Sequence, residues 1–477
     1  MSDVCVFGAT AAGVAAAVGA AEAGADVVLV ERGRHVGGMV SGGLSWTDVG
    51  DVRVLGGFAR RFYTAVAEHY GVPIWTLRGP EPHVAEAIFI SLLDGIDVRL
   101  EANDFPDAAV YVDASYEGDL LPRCGVPYRV GRESRALHGE SMAGRQPATR
   151  PGKHNFSARL SPFRADGSLL PHIRPPELDA HGWPVEAIGD GDGGLQAYAF
   201  RVCLTRSAER IPFAEPDGYD ELEFELLDRL LAAVPYELPD LLGLVPDLLP
   251  NGKCDVNSIG PFSLNVLDGS NRDYPEGDDE TRARVRAHHF AYTKRFLWHL
   301  STRFEAMSEW GLCPDEFQDR GGWPHQLYVR DGRRMVGETV LCEGDLRGGK
   351  IPADTVALGS YNIDIREIER TWRVLPEYDR EDAVFNEGYL SVAVPAYGIP
   401  YAALTPSRND ATNLLVPICL SASHVAFGSV RMEPTLMMLG HAAGHAAAQA
   451  ARESCAVQDV DVVELQETLR SHGQVLA

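Results

Sequence analysis

At 477 residues the chain exceeds what one hydrophobic core supports, because single cores stop growing near about 250–300 residues, so two domains are expected. Apolar residues make up 45%, charged residues 23% and aromatics 8%, an ordinary globular balance that excludes long disordered stretches. The formal net charge of -25 argues against a nucleic-acid partner, since a phosphate backbone is bound by a basic surface.

The eight cysteines, Cys5, Cys124, Cys203, Cys254, Cys313, Cys342, Cys419 and Cys455, lie far apart without a C-x-x-C pair. Neither a zinc site nor a disulfide framework is expected, and reduced thiols point to the cytoplasm. The start, Met-Ser-Asp, has no basic segment, and Gly8, Gly13, Gly19, Glu22 and Gly24 interrupt the apolar stretch that follows, unlike a signal peptide. No apolar run is long enough to predict a membrane span.

In chain order, the first predicted element is a strand over DVCVFG (3–8), then a small-residue helix over AAGVAAAVGAAEA (11–23) and a second strand over DVVLVE (26–31). Strand, turn, helix and strand in this order form the unit that binds dinucleotides. In the turn Gly8-Ala9-Thr10-Ala11-Ala12-Gly13, Gly8 permits the tight corner and Gly13 the close approach of helix to strand. Thr10 replaces the usual middle glycine, and its hydroxyl is read as a donor to a phosphate oxygen. The helix opens with nothing acidic in its first turn, so its free N–H groups and dipole favour phosphate. Glu31 ends the second strand where an acid accepts hydrogen bonds from ribose hydroxyls, which favours FAD or NAD over NADP. The competing reading is a βαβ corner with no ligand.

Next comes Arg32-Gly33-Arg34-His35-Val36-Gly37-Gly38-Met39-Val40-Ser41-Gly42-Gly43, a glycine-rich stretch that lets backbone run flush against a ligand. The pattern E-R-x-x-x-V-G-G-M-x-S-G-G resembles the second glycine motif of FAD-binding enzymes of the glutathione-reductase-like class. That resemblance makes FAD the expected cofactor, with Arg32, Gly38, Met39, Ser41, Gly42 and Gly43 among its contacts.

The middle of the chain is irregular, with one charged helix predicted over 279–307. Within Trp323-Pro-His325-Gln326-Leu-Tyr328-Val-Arg330-Asp-Gly-Arg333-Arg334, strand alternation would put His325, Leu327 and Val329 on one face and Gln326, Tyr328 and Arg330 on the other. Three arginines and a histidine so close together read either as a pocket for a carboxylate or flavin anion, or as partners of the many acids. Asn251, Lys253, Asp255, Asn257, Ser263 and Asn265 either recognise substrate hydroxyls or satisfy their own loop.

Near the C-terminus, NLLVPICL (413–420) is predicted as a strand buried on both faces. A loop through Ser423, His424, Arg431 and Glu433 leads into a long helix with Pro434 in its first turn. His424 reads as a base accepting a proton while hydride leaves the substrate, or as a loop cap. His441 and His445 are expected to pack, and Cys419 to act as a small apolar residue.

The whole chain resembles a bacterial family of FAD-dependent oxidoreductases, through GATAAGVAAA, ERGRHVGGMVSGGLS, VYVDASYEGDLL, YRVGRESRALHGES, LQAYAFRVCLT, PNGKCDVNSIGPFS, GGWPHQLYVRDGRRMVGE and NLLVPICLSASHVAFGSVRMEP. The resemblance implies an α/β fold: a Rossmann-like FAD-binding domain from 1–121 plus 405–477, with an inserted α+β substrate domain at 122–404. It also implies that Ala114, Ser115 and Asp119 lie on the adenosine side. Ser423, Arg431 and Glu433 would then stand where the closing helix points at the pyrimidine end of the flavin. One departure stands between Leu100 and Ala109, where the class usually inserts a β-meander.

The expected function is an oxidase or dehydrogenase moving hydride from a small-molecule C–H bond to flavin N5, with O2 or a separate electron acceptor downstream. His325, His424, Arg334 and Tyr328 are its catalytic candidates, no metal is expected, and the protein is read as monomer or homodimer. Alternatives are a non-redox flavin isomerase or lyase, a monooxygenase served by a separate flavin reductase, and a binding protein that has lost its cofactor.

Overall fold

The computed structural model describes residues 2–77, 79–102, 104–147, 154–375 and 381–477. Five strands build the central sheet: β1 (Ser2–Phe7), β2 (Val27–Val30), β3 (Asp97–Arg99), β4 (Ala108–Asp113) and β5 (Leu414–Leu415), in the order β5-β4-β1-β2-β3. All neighbours are parallel. Val4, Cys5 and Val6 are fully buried, as central strands covered by helices on both faces require.

Three helices matter for the site beyond α1 (Ala11–Glu22): α2 (Asp279–Arg303), α3 (His424–Val430) and α4 (Glu433–Glu453). Helix α4 is buried from Glu433 to Ala450 and lies directly on α1. A Cβ at Gly440 would stand 2.1 Å from the Ala12 carbonyl oxygen, and one at Gly444 2.0 Å from that of Ala16. The two ends of the chain therefore meet backbone against backbone, through residues too small to hold them apart.

β3 leads through residues 100–107 to β4, with no meander strand among the described residues, in line with the departure read in the sequence. The strand expected over 413–420 is shorter: Leu414 and Leu415 pair with Tyr111 and Val112, and Val416 donates instead to Leu404. Pro417 has no N–H to extend a ladder. The alternating strand expected at 325–330 is absent; Tyr328 makes a single bridge to Ala199. The charged helix ends at Arg303, and a 3-10 turn, Glu305–Glu309, follows.

The middle of the chain carries small antiparallel sheets, including one of Gly311–Leu312, Cys203–Thr205 and Lys253–Asp255. Buried apolar side chains form two large cores. One surrounds the parallel sheet and also recruits Val126, Leu327, Val356 and Leu404. The other gathers Phe224, Leu230, Phe262, Phe296, Leu300 and Leu312. Segment 122–404 thus contributes to both. No helix among the described residues is long and apolar enough to cross a membrane.

Candidate functional site

The sheet order reverses between β1 and β4, and ligands of open α/β sheets bind outside the carboxyl ends of the strands at such a point. A cavity of about 750 Å³ opens there, lined by Phe7, Gly8, Thr10, Glu31, Arg32, Gly38, Ser115, Asp119, Arg282, Arg286, His325 and Gln326 among others. That volume lies within the roughly 300–1,000 Å³ of small-molecule and cofactor sites.

Its floor is the first crossover. Gly8 has φ +93°, and a Cβ there would lie 2.8 Å from the Ala114 carbonyl oxygen, so glycine is required. Thr10 departs from its expected role: its hydroxyl donates to Ala114 O at 2.8 Å and accepts from Gly13 N at 3.0 Å. It caps α1 and ties the turn to β4, which leaves no hydroxyl proton for a phosphate. The first turn of α1 carries no acid, so its N-terminus keeps its attraction for anions. The Glu31 carboxylate accepts from Ala9 N at 2.8 Å and Gly33 N at 2.6 Å. Asp119 is pushed up by burial but held below the usual carboxylate range by Arg282, which grips both its oxygens at 2.7 and 2.9 Å.

The glycine-rich stretch behaves differently from expectation. A Cβ at Gly42 would meet Gln326 Cβ at 2.3 Å, and one at Gly43 the Arg201 carbonyl oxygen at 2.5 Å. These close approaches are to protein, not to the cavity. Gly38 lines the outer cavity and Met39 an inner one.

Tyr116 separates the two spaces. Behind it lies a small chamber of about 20 Å³, lined by Met39, Asp48, Tyr116, Tyr328, Val329, Arg330, Asp331, Arg431 and Glu433 among others. The Tyr116 hydroxyl donates to Glu433 Oε1 at 2.8 Å and accepts from Met39 N at 3.0 Å. Glu433 opens α4; its Oε2 has no partner, and burial raises its carboxyl to about 7. Arg431 donates to the Tyr328 hydroxyl at 3.1 Å and to Asp364 O at 2.9 Å, while its Nε has no partner. Burial, then the neighbouring Asp364, push the Asp48 carboxyl up.

Arg330 stands out chemically. It is 3% exposed, donates to Ala197 O and lies 4.2 Å from the centroid of the Tyr328 ring. No acid among the described residues forms an ion pair with it, and burial lowers its guanidinium to about 9, helped by Arg366, Arg431 and Arg201. A buried cation without a counter-ion is costly unless an anion arrives.

His325 faces the outer cavity, stacked on His35 with centroids 3.8 Å apart. Its ring nitrogens have no hydrogen-bond partner, and burial, then His35, hold it neutral by lowering it to about 3. Tyr328 reaches the inner chamber. His424 and Arg334 reach neither space. The His424 ring lies 3.2 Å from Asp331 and its backbone N–H donates to Glu133 at 2.9 Å; Arg334 donates to that same Glu133 at 2.7 Å. Ser423 is the N-cap of α3 and donates to Glu140 at 2.6 Å. Ala11, Ala12, Gly13, Ser41, Gly42, Gly43 and Ala114 also line neither space, and Ser41 donates to Val36 O at 2.6 Å.

Several polar residues of 251–265 turn to the protein: Asn251 donates to Glu81, Asp255 accepts from Arg201 and Asn265 donates to Glu367, while Asn257 is exposed. Sequence reasoning missed Tyr116, Asp48, Arg286 and the particular place of Arg330. Tyr116 sits just past the end of β4 and Arg330 within the arginine cluster, but only long-range packing puts them on one chamber.

A parallel sheet with a glycine turn, an acid after β2 and a cavity at the switch point defines a dinucleotide-binding protein. The family profile described as FAD dependent oxidoreductase matches residues 3–107 and 106–469. The chain belongs to this family; it is an enzyme, and its cofactor is FAD. No curated protein matches it. Among solved structures, the OxyS anhydrotetracycline hydroxylase from Streptomyces rimosus is similar at 17% identity and TM-score 0.21, over 28% of this chain and 35% of that one. The THI4 protein of Thermovibrio ammonificans gives 17% identity and TM-score 0.21, over 28% and 66%. A flavoprotein/dehydrogenase from Cytophaga hutchinsonii gives 17% identity and TM-score 0.20, over 32% and 44%. The chain spans less than two thirds of each.

Proposed function

We propose that this oxidoreductase oxidises a small anionic substrate, a carboxylate, at a C–H bond. The carrying observation is Arg330, a buried guanidinium on the inner chamber with no acid paired to it. FAD, when bound, would supply the hydride acceptor at N5. The fit to FAD rests on the volume of the outer cavity, the acid-free N-terminus of α1, whose N-cap Thr10 lines it, and the orphaned Arg32 Nε and His325 ring nitrogens on its wall. In the outer cavity Gly8, the N-cap Thr10 backbone and Arg32 would hold the phosphates and Glu31 the ribose.

The protein's own groups divide the remaining work. Arg330 binds and orients the substrate carboxylate through charge-assisted hydrogen bonds. Glu433 accepts the proton that leaves the substrate as hydride departs: its Oε2 is free, and a carboxyl near 7 is matched to general-base work at neutral pH. It replaces His424 in this role, because the His424 ring is turned toward Asp331 and lines neither space. At 20 Å³ the chamber has room for about one or two water-sized groups, so lining side chains shift when a larger one enters. O2 or a separate electron acceptor would complete the turnover, the enzyme acting as monomer or homodimer.

The test mixes holoenzyme anaerobically with a panel of hydroxy and amino carboxylates. Bleaching of the flavin with a product two hydrogens lighter supports the reading. A product of unchanged mass would assign an isomerase, and an oxygenated product that needs an added reductase would assign a monooxygenase.

A further inference from the structure

Outside the cofactor cavity, four side chains from opposite ends of the chain converge at the far end of α1. We propose that Glu22, His441, His445 and His472 form a binding site for a divalent transition metal ion, with zinc as the ion that this ligand set fits best. Glu22 ends α1, His441 and His445 stand one turn apart on α4, and His472 follows the last helix, Val462–Ser471.

The geometry is that of a coordination shell. Glu22 Oε2 lies 2.9 Å from His441 Nε2, 3.7 Å from His445 Nε2 and 3.4 Å from His472 Nδ1, and the two Nε2 atoms are 3.2 Å apart. All four ligand atoms fall within 4.8 Å of one another. Zinc held at about 2.0–2.1 Å by imidazole and carboxylate requires tetrahedron edges of roughly 3.4 Å, and the observed separations bracket that value. Three imidazoles with one carboxylate is a borderline-hard set suited to zinc and its neighbours rather than to magnesium or calcium.

Packing alone does not explain the cluster. Three ring nitrogens crowd one carboxylate oxygen, and two of them face each other, where neutral rings can share only one proton. A metal ion at the centre would take up all four lone pairs. The second oxygen of Glu22, Oε1, accepts from Arg61 at 2.6 Å, which turns Oε2 inward in the manner of an outer-shell partner. Glu22 and His472 keep 26% and 35% side-chain exposure, which leaves an entry path.

A second cluster shows the contrast. Glu81, His83, Asp315 and Glu316 also crowd together, but Lys253 Nζ sits among them, 2.6 Å from Glu81 and 2.7 Å from Asp315 and Glu316. There an ammonium already supplies the positive charge. No lysine or arginine of the described residues pairs with Oε2 of Glu22, the atom that faces the three rings.

The site would clamp α1 to α4, the two helices that frame the FAD half-site, at the end remote from the cavity. The test uses chelator-treated holoenzyme titrated with zinc, and with cobalt(II) as a spectroscopic probe. Expected are one equivalent bound, the visible bands of tetrahedral cobalt, a raised melting temperature, and at least about tenfold weaker binding in the surface variants His472→Ala and Glu22→Gln. Flavin content and circular dichroism report that both variants fold. Absence of stoichiometric binding, or binding left unchanged in both folded variants, would overturn the proposal.

Discussion

Replacing Arg330 with methionine separates binding from folding. The guanidinium is buried without an acid, so an apolar side chain of similar length removes a desolvation cost as well as a contact. A hydrogen bond to a charged group contributes about 1.5–3 kcal/mol. Arg330→Met is therefore expected to keep its melting temperature within a few degrees, while kcat/KM for a carboxylate substrate falls about tenfold or more. Steady-state kinetics beside thermal melts check this, and parallel losses in both would count against it.

Glu433 makes a pH-dependent prediction of opposite character. Its carboxyl is raised from 4.5 to about 7 in the fold, so between those values the folded protein keeps a proton that the unfolded chain has released. Stability is lost as pH rises through that window, and the full cost is present above about 7. Glu433→Gln removes the titration. Its stability relative to wild type should climb from pH 4.5 to 7 and then level off, measured by urea melts in a pH series. If Glu433 accepts the substrate proton, the same variant loses about 10²–10⁴-fold in kcat together with the limb of the rate profile near neutrality.

Among the elements, the contact of α1 with α4 controls cofactor retention, because each helix contributes one end to the site. Gly444→Ala places a Cβ 2.0 Å from the Ala16 carbonyl oxygen, and backbone there cannot give way as a side-chain tip would. Overpacking of this kind costs about 1–3 kcal/mol. The variant should purify with less flavin, seen in the ratio of visible to ultraviolet absorbance, and melt several degrees lower.

How much could be read without coordinates also differs by element. The β1–α1–β2 unit was legible because period, glycine spacing and the terminal acid are all local signals. The strand after Asn413 was overextended because a continuous apolar run outweighed Pro417. The stretch around His325 looked alternating, yet Tyr328, Val329 and Arg330 all line the inner chamber while His325 and Gln326 both face the outer cavity. Without a full partner strand, nothing holds that segment to a two-residue period.

For the whole molecule, the two cores share segment 122–404, and the parallel core is closed by residues from both ends of the chain. Cooperative unfolding follows from such interlocking. Calorimetry of the holoenzyme should show one transition, shifted upward by added FAD as binding to the native state requires. Two resolved transitions, only one of them moved by FAD, would show that the cores fold independently.

The order of amino acids by itself determined the first crossover, the acid after β2 and the C-terminal helix, because each depends on neighbours within a few dozen positions. The tertiary structure alone decided which polar side chains face the chamber. Thr10 went to Ala114, Arg334 to Glu133 and the His424 ring to Asp331, while Arg330 was left without an acid. A buried polar group takes the partner that folding brings nearest, and that partner is often a hundred or more residues away, where no local pattern reports it.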